Sequence, residues 1–307
     1  MANPGGVIAR MQLGLAIAAV MMVAPAAAAP PPTADSPIVV QGVHDRDKKI
    51  SQFIKELTPA PVHGQISRFD APVCPAVAGV SEEQQSYIER RLRRIAAAAG
   101  MAVAKPTCDP NIILVVARDK NDLLKQLEKH RPEYFPASWS SWHVHDLEHD
   151  PSPVAAWQFE GHFWADGRPV AGETNASAIS DILQLQRTIE PPSRLKPSAR
   201  NAFITSIVIV QHDALTGLTT TQLADYTAMR AFVRTDPKQL RAASADTILG
   251  VLDAPMGAAV PLTLTTWDLS FLKAFYASNK NSYAEYQRSE MQALMRGELD
   301  RTQTAGN

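Results

Sequence analysis

The scarcities of this chain narrow its possible roles before any motif does. Among 307 residues there are two cysteines, Cys74 and Cys108. No C-x-x-C spacing exists, which excludes a thioredoxin-like redox pair and a paired-cysteine zinc module. An excess of one charge is missing too: 30 Lys and Arg stand against 31 Asp and Glu, for a formal net charge of −1. So balanced a chain offers no field to a polyanion, and no nucleic-acid partner is expected. Beyond residue 29, no apolar run approaches the roughly 20 residues of a membrane span, so no integral membrane segment is expected after leader removal. Intact catalytic signatures are also lacking, with neither H-E-x-x-H nor a G-x-S-x-G elbow present.

What is present begins with an export signal. Arg10, the apolar run Met11–Val23, Pro25 and the small residues Ala26–Ala29 read as a secretory leader over residues 1–29. The expected location is periplasmic or secreted. In an oxidising compartment Cys74 and Cys108 are expected to form a disulfide, closing a loop of about 35 residues worth ~3 kcal/mol. Residues 30–62 read as a Pro-rich linker, a short strand at Ile38–Val40 and a helix over Asp45–Leu57. Residues 63–300 then read as a single domain.

Periodicity organises that domain. Ile66–Val77 reads as extended. Ser81 and Gln84 make a capping box for a helix that ends at Gly100, with Ile88, Leu92, Ile95 and Ala99 as its inward stripe. Asn111–Ala117 (NIILVVA) has the length and apolar content of a buried strand. Asp119–His130 is a second amphipathic helix. Residues 132–153, crowded with Pro, Trp, His and Asp, read as a long irregular loop. Val154–Phe159 and Arg168–Val170 flank a hairpin turned at Asp166–Gly167. After a Pro-rich break at Pro191–Pro197 comes the strongest strand, Phe203–Val210. A helix follows over Thr219–Val233, with Thr219 and Gln222 as its capping box. Helices over Ala245–Leu252, Thr266–Ala277 and Tyr283–Leu299 close the chain. The expected fold is α+β, a small mixed sheet with packed helices.

A last strand followed at once by a long helix resembles the core of the zincin-like metalloproteases, where that helix carries H-E-x-x-H. On this frame Gln222 and Tyr226 stand at the zinc-ligand positions and Leu223 at the general base, while a third ligand would fall on Phe232. Zinc takes His, Cys or carboxylate donors, so the set is degenerate. Pro255-Met256-Gly257 would occupy the Met-containing turn. The segments Arg68–Val73, Asn111–Val116, Gln222–Met229 and Trp267–Tyr276 also resemble a group of exported bacterial proteins with zincin-like organisation. The resemblance implies a zincin-like core followed by C-terminal helices, with no catalytic residue and no cofactor. No activity carries over from it; the expectation is a pseudoenzyme that acts by binding, with an envelope protein or a peptide as its partner.

A different function rests on Trp142–Asp150 (WHVHDLEHD), which holds His143, His145 and His149, with His162 following. Three or four converging donors would hold zinc, and H-x-H on a strand sets two on one face. That alternative is a metal-dependent hydrolase. Ser193-Arg194-Leu195-Lys196 matches S-x-x-K, but Pro191, Pro192 and Pro197 bracket it and no K-T-G accompanies it. Arg90, Arg91, Arg93 and Arg94 read as the solvated face of a helix. His212, Asp213 and Asp225 lack a nucleophile elbow, and Trp157 and Phe159 alternate along a strand as core residues do.

Overall fold

The computed structural model describes residues 41–59, 64–170, 196–235, 247–255 and 257–305. The expected leader, the Pro-rich linker, the strand at Ile38–Val40, Ser193 of the S-x-x-K match and Met256 lie outside the described residues. In chain order the elements are α1 (Gln41–Leu57), β1 (Arg68–Phe69), β2 (Pro75–Ala78), α2 (Glu82–Ala98), β3 (Ile112–Ala117) and α3 (Lys120–His130). Next come α4 (Ser141–His149), β4 (Val154–Trp164), β5 (Ala199–Gln211), α5 (Thr220–Phe232), α6 (Thr266–Ala277) and α7 (Ala284–Ala305). The fold is α+β, as the sequence implies.

β5 is the spine of the mixed sheet. On one edge it pairs in parallel with β1 at Ala202–Phe203 and with β3 over Ser206–Gln211, and β2 lies parallel outside β3. On the other edge it pairs antiparallel with the whole of β4. β5 carries one extra residue there: the register steps from Phe159 opposite Thr205 to Glu160 opposite Phe203, and Ile204 bulges out.

Alternation along the strands builds two unequal layers. Ile112, Leu114, Val116, Val208 and Val210 point to the larger core, which α1, α2, α5, α6 and α7 cover. Ile207, Ile209, Ala155 and Trp157 point to a smaller cluster under α3 and α4. Both capping boxes read from the sequence are formed, at Ser81 with Gln84 and at Thr219 with Gln222. The turn after β2 is pressed onto β3, since a Cβ on Gly79 (φ +85°) would lie 1.9 Å from the Val116 carbonyl oxygen. Only glycine fits there. Cys74 and Cys108 are joined as a disulfide that ties the start of β2 to the segment preceding β3.

Three expectations need correction. Residues 132–153 are not an irregular loop, because Ser140 caps α4 and Pro132–Tyr134 forms a short 3₁₀ turn. The expected helix at 245–252 is, in its described part, only a 3₁₀ turn over Ile248–Gly250. The boundary drawn at residue 63 moves to Gln41, since Ile50, Phe53, Ile54 and Leu57 of α1 enter the main core and one compact unit spans 41–307.

Candidate functional site

The zincin-frame positions lie on α5, and α5 is sealed. Every residue from Gln222 to Phe232 is buried. The Gln222 side chain is already spent, accepting from the Thr219 backbone N–H and donating to the Pro261 carbonyl at 2.8 Å. Leu223 and Tyr226 pack in the core, where burial pushes the Tyr226 phenol up. Asp225, fully buried, takes a bidentate fork from Arg91 at 2.7 and 2.8 Å, together with the Thr263 hydroxyl and the Leu264 N–H. That carboxylate accepts four hydrogen bonds, one at Oδ1 and three at Oδ2, and reads as a clamp between α2, α5 and the segment before α6. Arg91 is thus not a solvated arginine. Its neighbour Arg93 also turns inward, donating to the Ala104 carbonyl at 2.6 Å.

The four histidines are placed differently from one another. His143, His145 and His149 sit on α4, a helix, so the strand argument for His143 and His145 does not hold: two residues apart they lie about 200° around the axis. His143 stacks on Trp139 (5.4 Å between centroids), and its Nδ1 accepts the Ser140 N–H at 3.2 Å. His145 and His149 face solvent together, their rings stacked 3.8 Å apart. His162 is on β4, with Nδ1 2.6 Å from the Asn201 side-chain oxygen. Among the described residues, no group of three or more His, Cys, Asp or Glu side chains is placed to hold a metal ion.

Two of the concavities among the described residues lie against the sheet and bear on function. One, of about 450 Å³, opens at the carboxyl ends of β2, β3 and β5, between the Gly79–Ser81 turn, Val116 and the His212–Thr220 connection. Ligands of open α/β sheets favour such a position. Here, however, the Ser81 and Thr219 hydroxyls are committed to helix caps, and His212 and Asp213 stand out in solvent.

The other is a groove of about 900 Å³ along the outer edge of β4. Trp139, His143, Trp157, Phe159 and Ile204 line it from one face of the sheet, and Gln158, Glu160 and Arg234 from the other. Its aromatic wall is held in place. Trp157 stacks on Phe135 at 5.2 Å, Trp139 stacks beyond, and the Trp157 indole N–H donates to the Tyr134 carbonyl at 2.9 Å. Opposite, Arg234 pairs with Glu160 at 2.9 Å, and Gln158 is anchored to the Arg230 carbonyl at 3.0 Å.

No family model, curated protein or solved structure matches this chain.

β4 supplies the deciding geometry. The Pro153 carbonyl accepts from Gln211, so odd positions direct their backbone groups to β5. The His162 carbonyl and the Trp164 N–H instead bond Val170 and Arg168, which fold back over the Asp166–Gly167 turn onto the outer edge. Even positions therefore face outward. Between Val154 and Glu160 that outer edge has no strand partner among the described residues.

Sequence reasoning missed α4 and with it the groove. Ser140 three residues before His143, and the spacing of Val144 and Leu147, were the available signals. It also passed over the order His145-Asp146-Leu147-Glu148-His149, the reverse of H-E-x-x-H.

Proposed function

We propose that this chain is an exported, non-catalytic binding protein that holds an extended segment of a partner polypeptide against the outer edge of β4. The observation that carries the reading is the groove itself, which wraps the edge strand and takes side chains from both sheet faces. An extended peptide added as a strand would bond the outward backbone groups of Val154, Ala156, Gln158 and Glu160. Its alternate side chains would meet the aromatic wall on one side and Arg234 with Glu160 on the other. An envelope protein or a peptide in the periplasm or outside the cell is the partner this predicts, and the Cys74–Cys108 disulfide suits such a compartment.

The zincin-like frame belongs to the same proposal. The last strand, β5, is followed by the buried helix α5, the order on which the resemblance rests, and on that frame Gln222, Leu223 and Tyr226 would stand at the zinc positions with no ligand chemistry.

The test begins with peptides selected from a random displayed library against the mature protein. Binding should quench or shift Trp157 and Trp139 fluorescence and protect the Ala156, Gln158 and Glu160 amides from hydrogen exchange. Ala156→Pro removes one outward N–H and leaves the ladder to β5 intact. It should cost at least about tenfold in affinity, since roughly 1.4 kcal/mol is a factor of ten. Peptides that bind with β4 amides unprotected, or a library that yields none, would overturn the reading.

A further inference from the structure

We propose that His145 and His149 form a two-donor site for a borderline divalent cation, Zn²⁺ or Cu²⁺, on the exposed face of α4, with its other coordination positions open to water. This inference is independent of the polypeptide-binding reading.

The argument starts from the hydrogen bonds of each ring. The His149 Nδ1 lies 2.8 Å from the His145 carbonyl oxygen. A carbonyl only accepts, so Nδ1 carries the proton and, in the neutral ring, Nε2 keeps its lone pair. A metal-binding histidine normally shows this arrangement, with the far nitrogen donating to a carbonyl or carboxylate. One turn earlier, the His145 ring is stacked on it at 3.8 Å with 22° between planes, and Trp142 meets the His145 ring in a T-shaped contact at 5.8 Å. Both imidazoles are exposed and lie one turn apart at i and i+4 on one helix face, so rotation of the solvent-facing His145 ring out of the stack brings its in-plane lone pair toward an ion held by His149 Nε2. Imidazole pairs suit zinc and copper, with copper the stronger binder in the usual divalent order.

The same reasoning excludes His143. Its Nδ1 accepts the Ser140 N–H, so its neutral ring bears the proton on Nε2 and has no free lone pair. Asp146 and Glu148 do not complete a third donor on this face, because no trio of His, Cys, Asp or Glu converges among the described residues. The site binds an ion and holds it; with two ligands it specifies no hydrolysis.

The experiment uses the full mature chain without an affinity tag. Titration calorimetry with ZnCl₂ and with CuCl₂ should give one ion per chain, and electron paramagnetic resonance of the copper adduct should report two imidazole nitrogens. His145→Ala and His149→Ala should each weaken uptake at least about tenfold. His143→Ala and His162→Ala should leave it unchanged. No uptake, uptake that survives the double His145→Ala/His149→Ala variant, or a requirement for His143 would each overturn the proposal. All four rings are on the surface, so circular dichroism can verify folding of every variant.

Discussion

The two faces of the sheet are finished to different standards. On the first, five helices bury Phe53, Phe232, Phe271 and Phe275 completely, and Phe53 meets Trp267 and Phe271 edge to face. Asp225 and Asp268, the carboxylates taken deepest there, are each surrounded by donors: Asp268 accepts from the Thr247 hydroxyl and from the N–H groups of Ile248 and Thr265. On the second face, two short helices cover a smaller cluster, and α4 buries only Val144. Beside α4, half-buried Trp139 and Phe159 flank the buried Trp157 to form a groove wall. The contrast concentrates burial on one face and leaves the proposed recognition to the other.

The largest expected effect tests the sealed face. Asp225→Ala would leave the Arg91 guanidinium without its bidentate partner and the Thr263 hydroxyl and Leu264 N–H without an acceptor. Breaking one side of a buried pair costs about 3–5 kcal/mol. Urea unfolding of the protein measures it. A loss under about 1 kcal/mol would mean that α5 is not clamped as described, and would undo the contrast between the faces.

A smaller, more local effect is expected on the open face. The Lys120 ammonium is buried and donates to three carbonyls, those of Leu147, Asp150 and Ser152, at 3.0, 2.8 and 2.9 Å. It closes the C-terminal end of α4 from the start of α3. Burial pushes its pKa down from the usual lysine value, with Asp150 and Asp119 opposing. Lys120→Met keeps the apolar stem and deletes the three donors, for an expected loss of about 2 kcal/mol. Hydrogen exchange should accelerate across α4 well before it does in α2 or α5. Equal acceleration everywhere would show that the faces unfold as one unit.

The same residues explain what could be read in the sequence. α2, β3 and α5 were legible because their signals are local: two capping boxes, an inward stripe at 3.6-residue period, and a six-residue apolar run. α4 was not, because its stability comes from Lys120, more than twenty residues away in sequence, and its apolar content is slight. β4 runs beyond the expected Val154–Phe159 because Glu160, Gly161 and His162 break the alternation, and the bulge at Ile204 that accommodates the break belongs to the partner strand. At the site, Arg91 looked like one more surface arginine, since its partner Asp225 lies 134 positions on. The histidines were visible as a cluster, but the hydrogen bonds that separate His149 from His143 belong to the folded helix. No spacing rule supplies them.

The smallest effect concerns protons in the sealed face at alkaline pH. Burial pushes the phenols of Tyr226 and Tyr276 up, and the Tyr276 hydroxyl donates to the Phe232 carbonyl at 2.7 Å. An unfolded tyrosine releases its proton near pH 10. Above that pH the unfolded chain binds fewer protons than the folded one, so stability is full below about pH 10 and falls as pH rises further. Each phenol contributes a slope of up to about 1.4 kcal/mol per pH unit until its folded pKa is reached. Tyr276→Phe should cost about 1 kcal/mol at neutral pH through the lost hydrogen bond, and should remove one share of the alkaline slope. Tyr226→Phe should remove the other. Urea midpoints at pH 9, 10 and 11 for the parent and both variants decide the matter: parallel curves for all three would mean that water reaches these phenols, and that the first face is as open as the second.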